Sequence, residues 1–278
     1  MAHGFKGLAL HTWTVDTTPL DGALAAAKQG GFDAVELRRV DFLRNREKGL
    51  DDTQTVDLVK KSGLPASCIG VEYGWIFSSG ADTDRLMVSL KEACGHAKAL
   101  GCPMLMSAIG PGDASLDQAA ANIRRAGDIV GAAGLRIALE YQFQHPVVRT
   151  LDILRELIAK AQGAAGNKSV GLLLDAYHLQ RGGRPGAGFQ DVPESEIFYV
   201  QYSDVPDAPP NGPPPTDRLA PGKGVGKWAD FFKLLAAKKY AGYLSYEAPN
   251  PAHWNRPAVD AAREGAEATR LKLAQAFP

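Results

Sequence analysis

The chain has 278 residues, of which 45% are hydrophobic and 22% charged, and its 31 basic side chains balance 31 acidic ones. This is the composition of an ordinary globular protein, and a net charge of zero gives no electrostatic reason to expect a nucleic acid or an anionic membrane surface as a partner. The three cysteines lack metal-ligand spacing, and we find neither a signal peptide nor an 18-residue apolar window, so we expect a cytoplasmic protein with reduced thiols.

Short apolar segments alternate with longer amphipathic ones along the chain, which is the pattern of β/α units. In chain order, strands are predicted at residues 7–13, 33–39, 65–73, 103–110, 135–141, 169–178, 197–204 and 241–249. Helices are predicted at 19–31, 51–63, 82–101, 115–134, 148–163 and 227–240, with a short helix within 184–196 and a last one from about 256 onward. Pro19 and Gly31 are typical boundary residues of the first helix.

Eight consecutive units predict an α/β fold, a (β/α)8 TIM barrel that forms one domain over residues 1–278. The alternative is an open, doubly wound sheet. No GxGxxG segment follows the first strand, and the glycines of residues 222–226 do not form a phosphate-binding loop, which favours the barrel. The Pro-rich stretch 204–224 is predicted to be a long loop that is functional or mobile.

Polar side chains end most of the predicted strands, where a TIM barrel has its active site. They are His11, Glu36, Glu72, Glu140, Asp175, Gln201 and Glu247. One such carboxylate is often only a helix cap, but the last four residues end four successive strands. Carboxylates this close repel one another unless a cation lies among them. We therefore predict a divalent metal ion, with oxygen ligands that suit Mg²⁺ or Mn²⁺ better than Zn²⁺. Its ligands are Glu140, Asp175, Gln201 and Glu247.

Further polar residues lie in the loops that follow the strands. His178 and Arg181 come shortly after Asp175, and Arg218 lies in the 204–224 loop. We predict that His178 takes part in catalysis. Contacts with the substrate are predicted for His11, Glu72, Arg181 and Arg218.

Five segments together resemble the xylose-isomerase-like TIM-barrel superfamily, which contains sugar phosphate isomerases and epimerases. They are LEYQFQH, LLLDAYHLQRGG, VQYSD, DRLAPGKG and LSYEAPNP. The resemblance implies one divalent metal ion per chain (Mn²⁺, Mg²⁺ or Co²⁺), an acid/base pair of Glu140 and Glu247, and a contact between His178 and the substrate. Many sugar epimerases of the superfamily have histidine at the position of Gln201, and a glutamine there is similar to some of its dehydratases, including 3-dehydroshikimate dehydratases.

The residues and the resemblance support three hypotheses. The first is a metal-dependent isomerase or epimerase of a small sugar or cyclic polyol ketone, in which one glutamate removes a proton to form a metal-bound enediolate and the other returns it. The second is a dehydratase of the 3-dehydroshikimate or inosose type, with His178 as the general acid. The third is a sugar-binding barrel without catalysis. Dimers and tetramers are common in the superfamily, so a homo-oligomer is a further expectation.

Overall fold

The computed structural model describes residues 4–163 and 168–278, and its eight parallel strands form a closed barrel. The strands are β1 (Gly7–His11), β2 (Ala34–Arg38), β3 (Ala66–Gly70), β4 (Met104–Ala108), β5 (Arg136–Glu140), β6 (Val170–Asp175), β7 (Ile197–Tyr202) and β8 (Tyr243–Tyr246). Each strand pairs with the next one, and β8 closes the barrel by pairing with β1, where Gly7 lies beside Tyr243. This closure confirms the predicted TIM barrel and excludes the open sheet.

Helices connect the strands on the outside of the barrel. They are α1 (Leu20–Gly30), α2 (Arg39–Glu47), α3 (Asp52–Ser62), α4 (Gly80–Leu100), α5 (Leu116–Ala132), α6 (Leu151–Gln162), α7 (Ala176–Arg181), α8 (Trp228–Ala237), α9 (Pro251–Trp254) and α10 (Ala258–Ala276). The six longer helices predicted between strands and the C-terminal helix are confirmed to within a few residues, whereas 184–196 holds only a 3-10 turn (Glu194–Glu196). Across the two described ranges, no helix combines the length and the apolar character needed to cross a membrane.

Two short helices that begin directly after strands were missed by the sequence analysis. α2 follows β2 without a loop, because the Asp41 carboxylate accepts the backbone N–H of Arg38 at 2.8 Å and caps the first turn. α7 follows β6 in the same way, because the Asp175 carboxylate accepts the backbone N–H of Tyr177 at 3.0 Å. The prediction of a strand up to residue 178 was therefore wrong, since this cap ends β6 at Asp175.

Apolar side chains fill two regions. One lies between the strands and the surrounding helices and includes Leu37, Ile69 and Leu139. The other, which we name the barrel floor, is a smaller cluster inside the barrel formed by Cys68, Met104, Met106, Ala138, Leu173 and Tyr199. Because alternate residues of a strand face the same side, the residues two positions after Ala138, Leu173 and Tyr199 also face the interior. Those residues are Glu140, Asp175 and Gln201.

The loop 204–224 is fastened at its base by Asp204. This buried carboxylate accepts hydrogen bonds from the backbone N–H groups of Gly222 (2.6 Å) and Gly226 (2.8 Å) and from the Trp228 indole (3.0 Å). A Cβ atom at Gly226 would lie 2.7 Å from Asp204 Oδ1, so the close approach of the carboxylate requires glycine there. The glycines at 222 and 226 therefore allow the end of the loop to pack against Asp204.

Candidate active site

Six strand-end side chains meet at the C-terminal mouth of the barrel and are almost completely buried. They are His11 (β1), Glu36 (β2), Glu140 (β5), Asp175 (β6), Gln201 (β7) and Glu247, which directly follows β8. The strand register places His11 beside Glu36 and Asp175 beside Gln201. Burial of so many ionisable groups costs free energy unless the groups are paired or hold a cation. This mouth is therefore the candidate active site.

Arg218 is brought into the cluster by the 204–224 loop and is only 2% exposed. Its Nη1 lies 2.7 Å from Asp175 Oδ2 and 2.7 Å from Glu247 Oε2, and its Nη2 lies 3.3 Å from His178 Nε2. The guanidinium also lies over the Tyr177 ring, 4.5 Å from the centroid. Although burial opposes the charge, the two carboxylates raise the pKa of Arg218. The residue predicted to contact the substrate is thus the positive centre of the cluster.

A group of side chains that could hold a metal ion is present at the mouth. Ligand atoms of Glu140, Asp175 and His178 all lie within 4.8 Å of one another, and His178 Nε2 is 3.8 Å from both Glu140 Oε1 and Asp175 Oδ2. Glu140 Oε1 and Gln201 Oε1 are buried and find no hydrogen-bond donor among the described residues. Buried acceptors without donors are costly, and oxygen atoms of this kind are ligands for hard divalent cations. The donor set therefore fits such an ion.

Gln201 is held by a residue to which the sequence analysis assigned no role. Its amide Nε2 donates a hydrogen bond of 2.9 Å to Glu36 Oε1, and the amide oxygen has no donor in the ranges 4–163 and 168–278. His11 is oriented from its other side, because its Nδ1 accepts the backbone N–H of Trp13 at 3.1 Å. Its Nε2 then lies 3.3 Å from Glu247 Oε1. The position of Glu36 at the end of a strand was visible in the sequence, but its long-range partner was not.

Burial shifts the pKa of three glutamates and one histidine at the mouth. It raises the pKa of Glu140 well above its usual range, with the charges of Glu247 and Asp175 adding to the effect. It raises the pKa of Glu247 to about 7, against the opposing charge of Arg218, and that of Glu36 to about 8, with a contribution from Glu247. It lowers the pKa of His178 to about 3. Burial therefore favours the neutral form of each group, which is the protonated carboxyl for the three glutamates and the uncharged imidazole for His178.

Two of the predicted substrate-binding residues are not brought into this cluster. The carboxylate of Glu72 forms ion pairs with Arg39 at 3.0 Å and with Arg85 at 2.8 Å. Neither arginine belongs to the group of side chains at the mouth. The guanidinium of Arg181 pairs with Asp217 at 3.1 Å and donates to the backbone oxygen of Ala208, so it anchors the 204–224 loop. Glu72 was placed at the mouth as the end of a predicted strand and Arg181 as part of the loop after Asp175, and neither argument determines where a long side chain points.

Nothing in the sequence indicated that Tyr73, the neighbour of Glu72, lies close to the charged groups of the mouth. Its hydroxyl lies 3.5 Å from Met106 Sδ on the barrel floor, although the residue as a whole is 43% exposed. Burial, and then the charges of Glu140 and Glu247, raise the pKa of this phenol, which places the hydroxyl in the electrostatic field of the site. A tyrosine in a segment after a strand has no signal of its own in the sequence, because aromatic residues also pack in cores and interfaces.

The model of a known family, described as xylose isomerase-like TIM barrel, matches residues 24–272, which is most of the chain. The chain belongs to this family. It is an enzyme of the sugar isomerase and epimerase type, as the resemblance implied.

Similar proteins include isomerases and dehydratases. An inosose isomerase from Halalkalibacterium halodurans is 22% identical over 264 residues, or 92% of each chain. A 3-dehydroshikimate dehydratase from Pseudomonas putida is 31% identical over 164 residues, which are 55% of this chain but only 25% of that protein. The solved structure of the IolI protein with a binding zinc atom superposes with a TM-score of 0.82, at 19% identity, over 98% of this chain and 99% of that one. The last likeness shows the shared fold.

Proposed function

We propose that the protein is a divalent-metal-dependent isomerase or epimerase of a small sugar or cyclic polyol ketone. The observation that carries the proposal is the pair of buried glutamates at one mouth, Glu140 and Glu247, whose pKa values are both raised by burial. Isomerisation and epimerisation next to a carbonyl need one group that removes a proton from carbon and one that returns it. The inosose isomerase that matches along the chain supports the substrate class.

The metal would be held by Glu140, Asp175, Gln201 and Glu247. An ion bound by these residues supplies polarisation of a substrate carbonyl, which acidifies the adjacent C–H bond. Oxygen ligands favour Mn²⁺ or Mg²⁺, and Co²⁺ is a further candidate. His178 lies in the same ligand group as Glu140 and Asp175, so it would contact either the ion or a substrate oxygen next to it.

The other side chains of the site would bind and orient the substrate. His178 Nδ1 and Arg218 Nε are buried and have no hydrogen-bond partner among the described residues, so both have capacity for substrate hydroxyl or carbonyl oxygens. Arg218 also keeps Glu247 and Asp175 in place through its 2.7 Å contacts. His11, at 3.3 Å, faces Glu247 and would stabilise its negative form after that residue gives up a proton.

A dehydratase is the second candidate, and one residue favours it. Gln201 stands where the resemblance implies histidine in many sugar epimerases, and a relative that is 31% identical over 164 residues is a 3-dehydroshikimate dehydratase. Loss of water needs a proton donor for the leaving hydroxyl. Since burial lowers the pKa of His178 to about 3, this imidazole is not in its acid form at neutral pH, whereas burial raises the pKa of Glu140 and Glu247 and so favours their proton-donating forms.

The experiment that tests both candidates begins with the metal. Chelator-treated protein is loaded with Mn²⁺ or Mg²⁺, and the bound metal is measured in the wild type, in Asp175→Ala and in Asp52→Asn. The last variant changes a carboxylate that is bonded by Arg46 and His96 and by none of the proposed ligands. We expect about one ion per chain in the wild type and control, and loss of the ion in Asp175→Ala. Absence of metal uptake by the wild type would overturn the proposal.

The loaded protein is then incubated with ketoses, inososes and 3-dehydroshikimate in D₂O, and the products are followed by NMR. Incorporation of deuterium with retention of all hydroxyls supports the isomerase or epimerase. Loss of a hydroxyl supports the dehydratase. Binding of a sugar without any exchange would favour a barrel that binds sugars without catalysis.

A further inference from the structure

Glu36 is buried at the end of β2, yet neither the acid/base pair nor the proposed ligand set includes it. In the closed barrel β2 is separated from β7 by β8 and β1. The Glu36 side chain nevertheless reaches Gln201, whose Nε2 donates to Glu36 Oε1 at 2.9 Å across the interior. A carboxyl group buried at this cost needs a reason in the structure or in the function.

The contact has a direct consequence for the Gln201 carboxamide. A carboxamide has a donor end and an acceptor end of nearly equal size, so packing alone does not determine which end faces the site. Glu36 Oε1 accepts the 2.9 Å hydrogen bond from Gln201 Nε2, as an oxygen of the ionised carboxylate or as the carbonyl oxygen of a carboxyl group protonated on Oε2, and it thereby pairs with the donor end of the amide. The oxygen end of Gln201 is then left buried without a donor among the described residues.

The same device is general among metal sites. A ligand that could bind through either of two atoms is commonly oriented by a carboxylate that accepts a hydrogen bond from the other atom, and removal of that partner typically weakens metal binding about 10- to 100-fold. Here the ligand is an amide and the partner is a glutamate from across the barrel.

We propose that Glu36 is a positioning residue that holds the Gln201 carboxamide with its oxygen toward the divalent metal ion. The proposal rests on the function proposed above, because it assumes that Gln201 is a ligand. It adds the requirement that the Gln201 carboxamide is held in one orientation. The effect of that orientation on metal affinity can be measured without any substrate.

The experiment is a titration of metal-free, full-length protein with Mn²⁺, with free Mn²⁺ measured by electron paramagnetic resonance. Four variants are compared with the wild type: Gln201→Ala, Glu36→Leu, Glu36→Gln, and the double variant Glu36→Leu with Gln201→Ala. We expect Glu36→Leu to weaken Mn²⁺ binding about 10- to 100-fold. Glu36→Gln offers the Gln201 amide a side chain with both an acceptor end and a donor end, so it should recover only part of the affinity.

The double variant separates positioning from a general structural effect. If Glu36 acts only through Gln201, Glu36→Leu causes no further loss once Gln201 is alanine. Ser107→Ala is the matched control, because Ser107 is a buried polar residue of the same barrel whose hydroxyl bonds Trp75 and Ala108 rather than Glu36 or any proposed ligand. Its Mn²⁺ affinity should equal that of the wild type.

The possible failures are distinguishable. Wild-type Mn²⁺ affinity in Gln201→Ala would overturn the proposed ligand set and, with it, the role of Glu36. Weak binding in Gln201→Ala together with normal binding in Glu36→Leu, or with additive losses in the double variant, would overturn the positioning role alone. Circular dichroism checks that each variant is folded. If Glu36→Leu does not fold, Glu36→Asp makes the same test, because the shorter side chain withdraws the acceptor and should also weaken binding.

Discussion

The mouth and the floor of the barrel are built from the same strands, two residues apart, and have opposite physical character. Leu173, Ala138 and Tyr199 belong to the apolar floor, and the next inward-facing residues are Asp175, Glu140 and Gln201. Burial of the floor side chains stabilises the fold through the hydrophobic effect. Burial of the mouth side chains costs free energy: it raises the pKa of Glu140 and Glu247, and Gln201 Oε1 finds no donor within the described part of the chain. The fold tolerates the buried polar side chains of the mouth because the apolar side chains of the floor stabilise it.

The largest expected effect is a change of chemistry at the mouth with the fold retained. Glu247→Gln keeps the size of the side chain and an acceptor for Arg218, but it removes the group that exchanges a proton with the substrate. We expect turnover to fall about 100- to 10,000-fold, while the melting temperature stays close to that of the wild type. Steady-state kinetics on the substrate identified by the D₂O screen measures the first quantity, and calorimetry measures the second. Wild-type turnover would show that Glu247 has no acid/base role.

A substitution on the barrel floor is expected to lower stability and to leave the chemistry of the mouth intact. Leu173→Ala removes most of a fully buried side chain from the floor, which should lower the free energy of unfolding by about 2–5 kcal/mol and leave Mn²⁺ affinity nearly unchanged. Urea denaturation compared with Mn²⁺ titration checks both. Leu271→Ala, at a leucine that is 57% exposed, is the matched control and should change stability little. A large loss of metal affinity in Leu173→Ala would mean that the two layers are not separable.

A third substitution changes the ligand chemistry at the mouth without removing a ligand. Gln201→His replaces an amide oxygen by an imidazole nitrogen, and Glu36 can accept a hydrogen bond from the other ring nitrogen. We expect the affinity for Zn²⁺ to rise relative to that for Mg²⁺, because imidazole is the softer donor. Competition between the two ions, followed by metal analysis, measures the ratio. An unchanged ratio would indicate that residue 201 does not touch the metal.

The smallest expected effect concerns charges that lie outside both layers. The Asp52 carboxylate accepts hydrogen bonds from the Arg46 guanidinium, and its Oδ2 lies 2.7 Å from His96 Nε2. These contacts lower the pKa of Asp52 to about 2. Because the folded pKa is below the unfolded value of about 3.9, the stabilisation is complete above that value and is lost as the pH falls toward 2. Asp52→Asn should cost at most about 1 kcal/mol at neutral pH and reduce the acid dependence of unfolding between these values, as measured by denaturation at several pH values.

How far the sequence predicted the site depends on the kind of residue. The strand-end residues Glu140, Asp175, Gln201 and Glu247 were predicted as one group, since parallel strands of a barrel place their C-terminal ends at one mouth. Glu72 was assigned to the same mouth and instead pairs with Arg39 and Arg85. It lies two residues beyond the end of β3, where the alternation of the strand no longer determines the direction of a side chain.

The sequence by itself determined the eightfold β/α repeat and the row of oxygen-bearing residues at the strand ends, because hydrophobic periodicity is a local property of the chain. It favoured the closed barrel, which the pairing of β8 with β1 confirms. The tertiary structure alone decided that Arg218 bridges Asp175 and Glu247, that Arg181 anchors a loop, and that Glu36 reaches Gln201. These contacts join residues 29 to 165 positions apart. No local pattern encodes them, since they depend on which side chains the closed barrel brings within hydrogen-bonding distance.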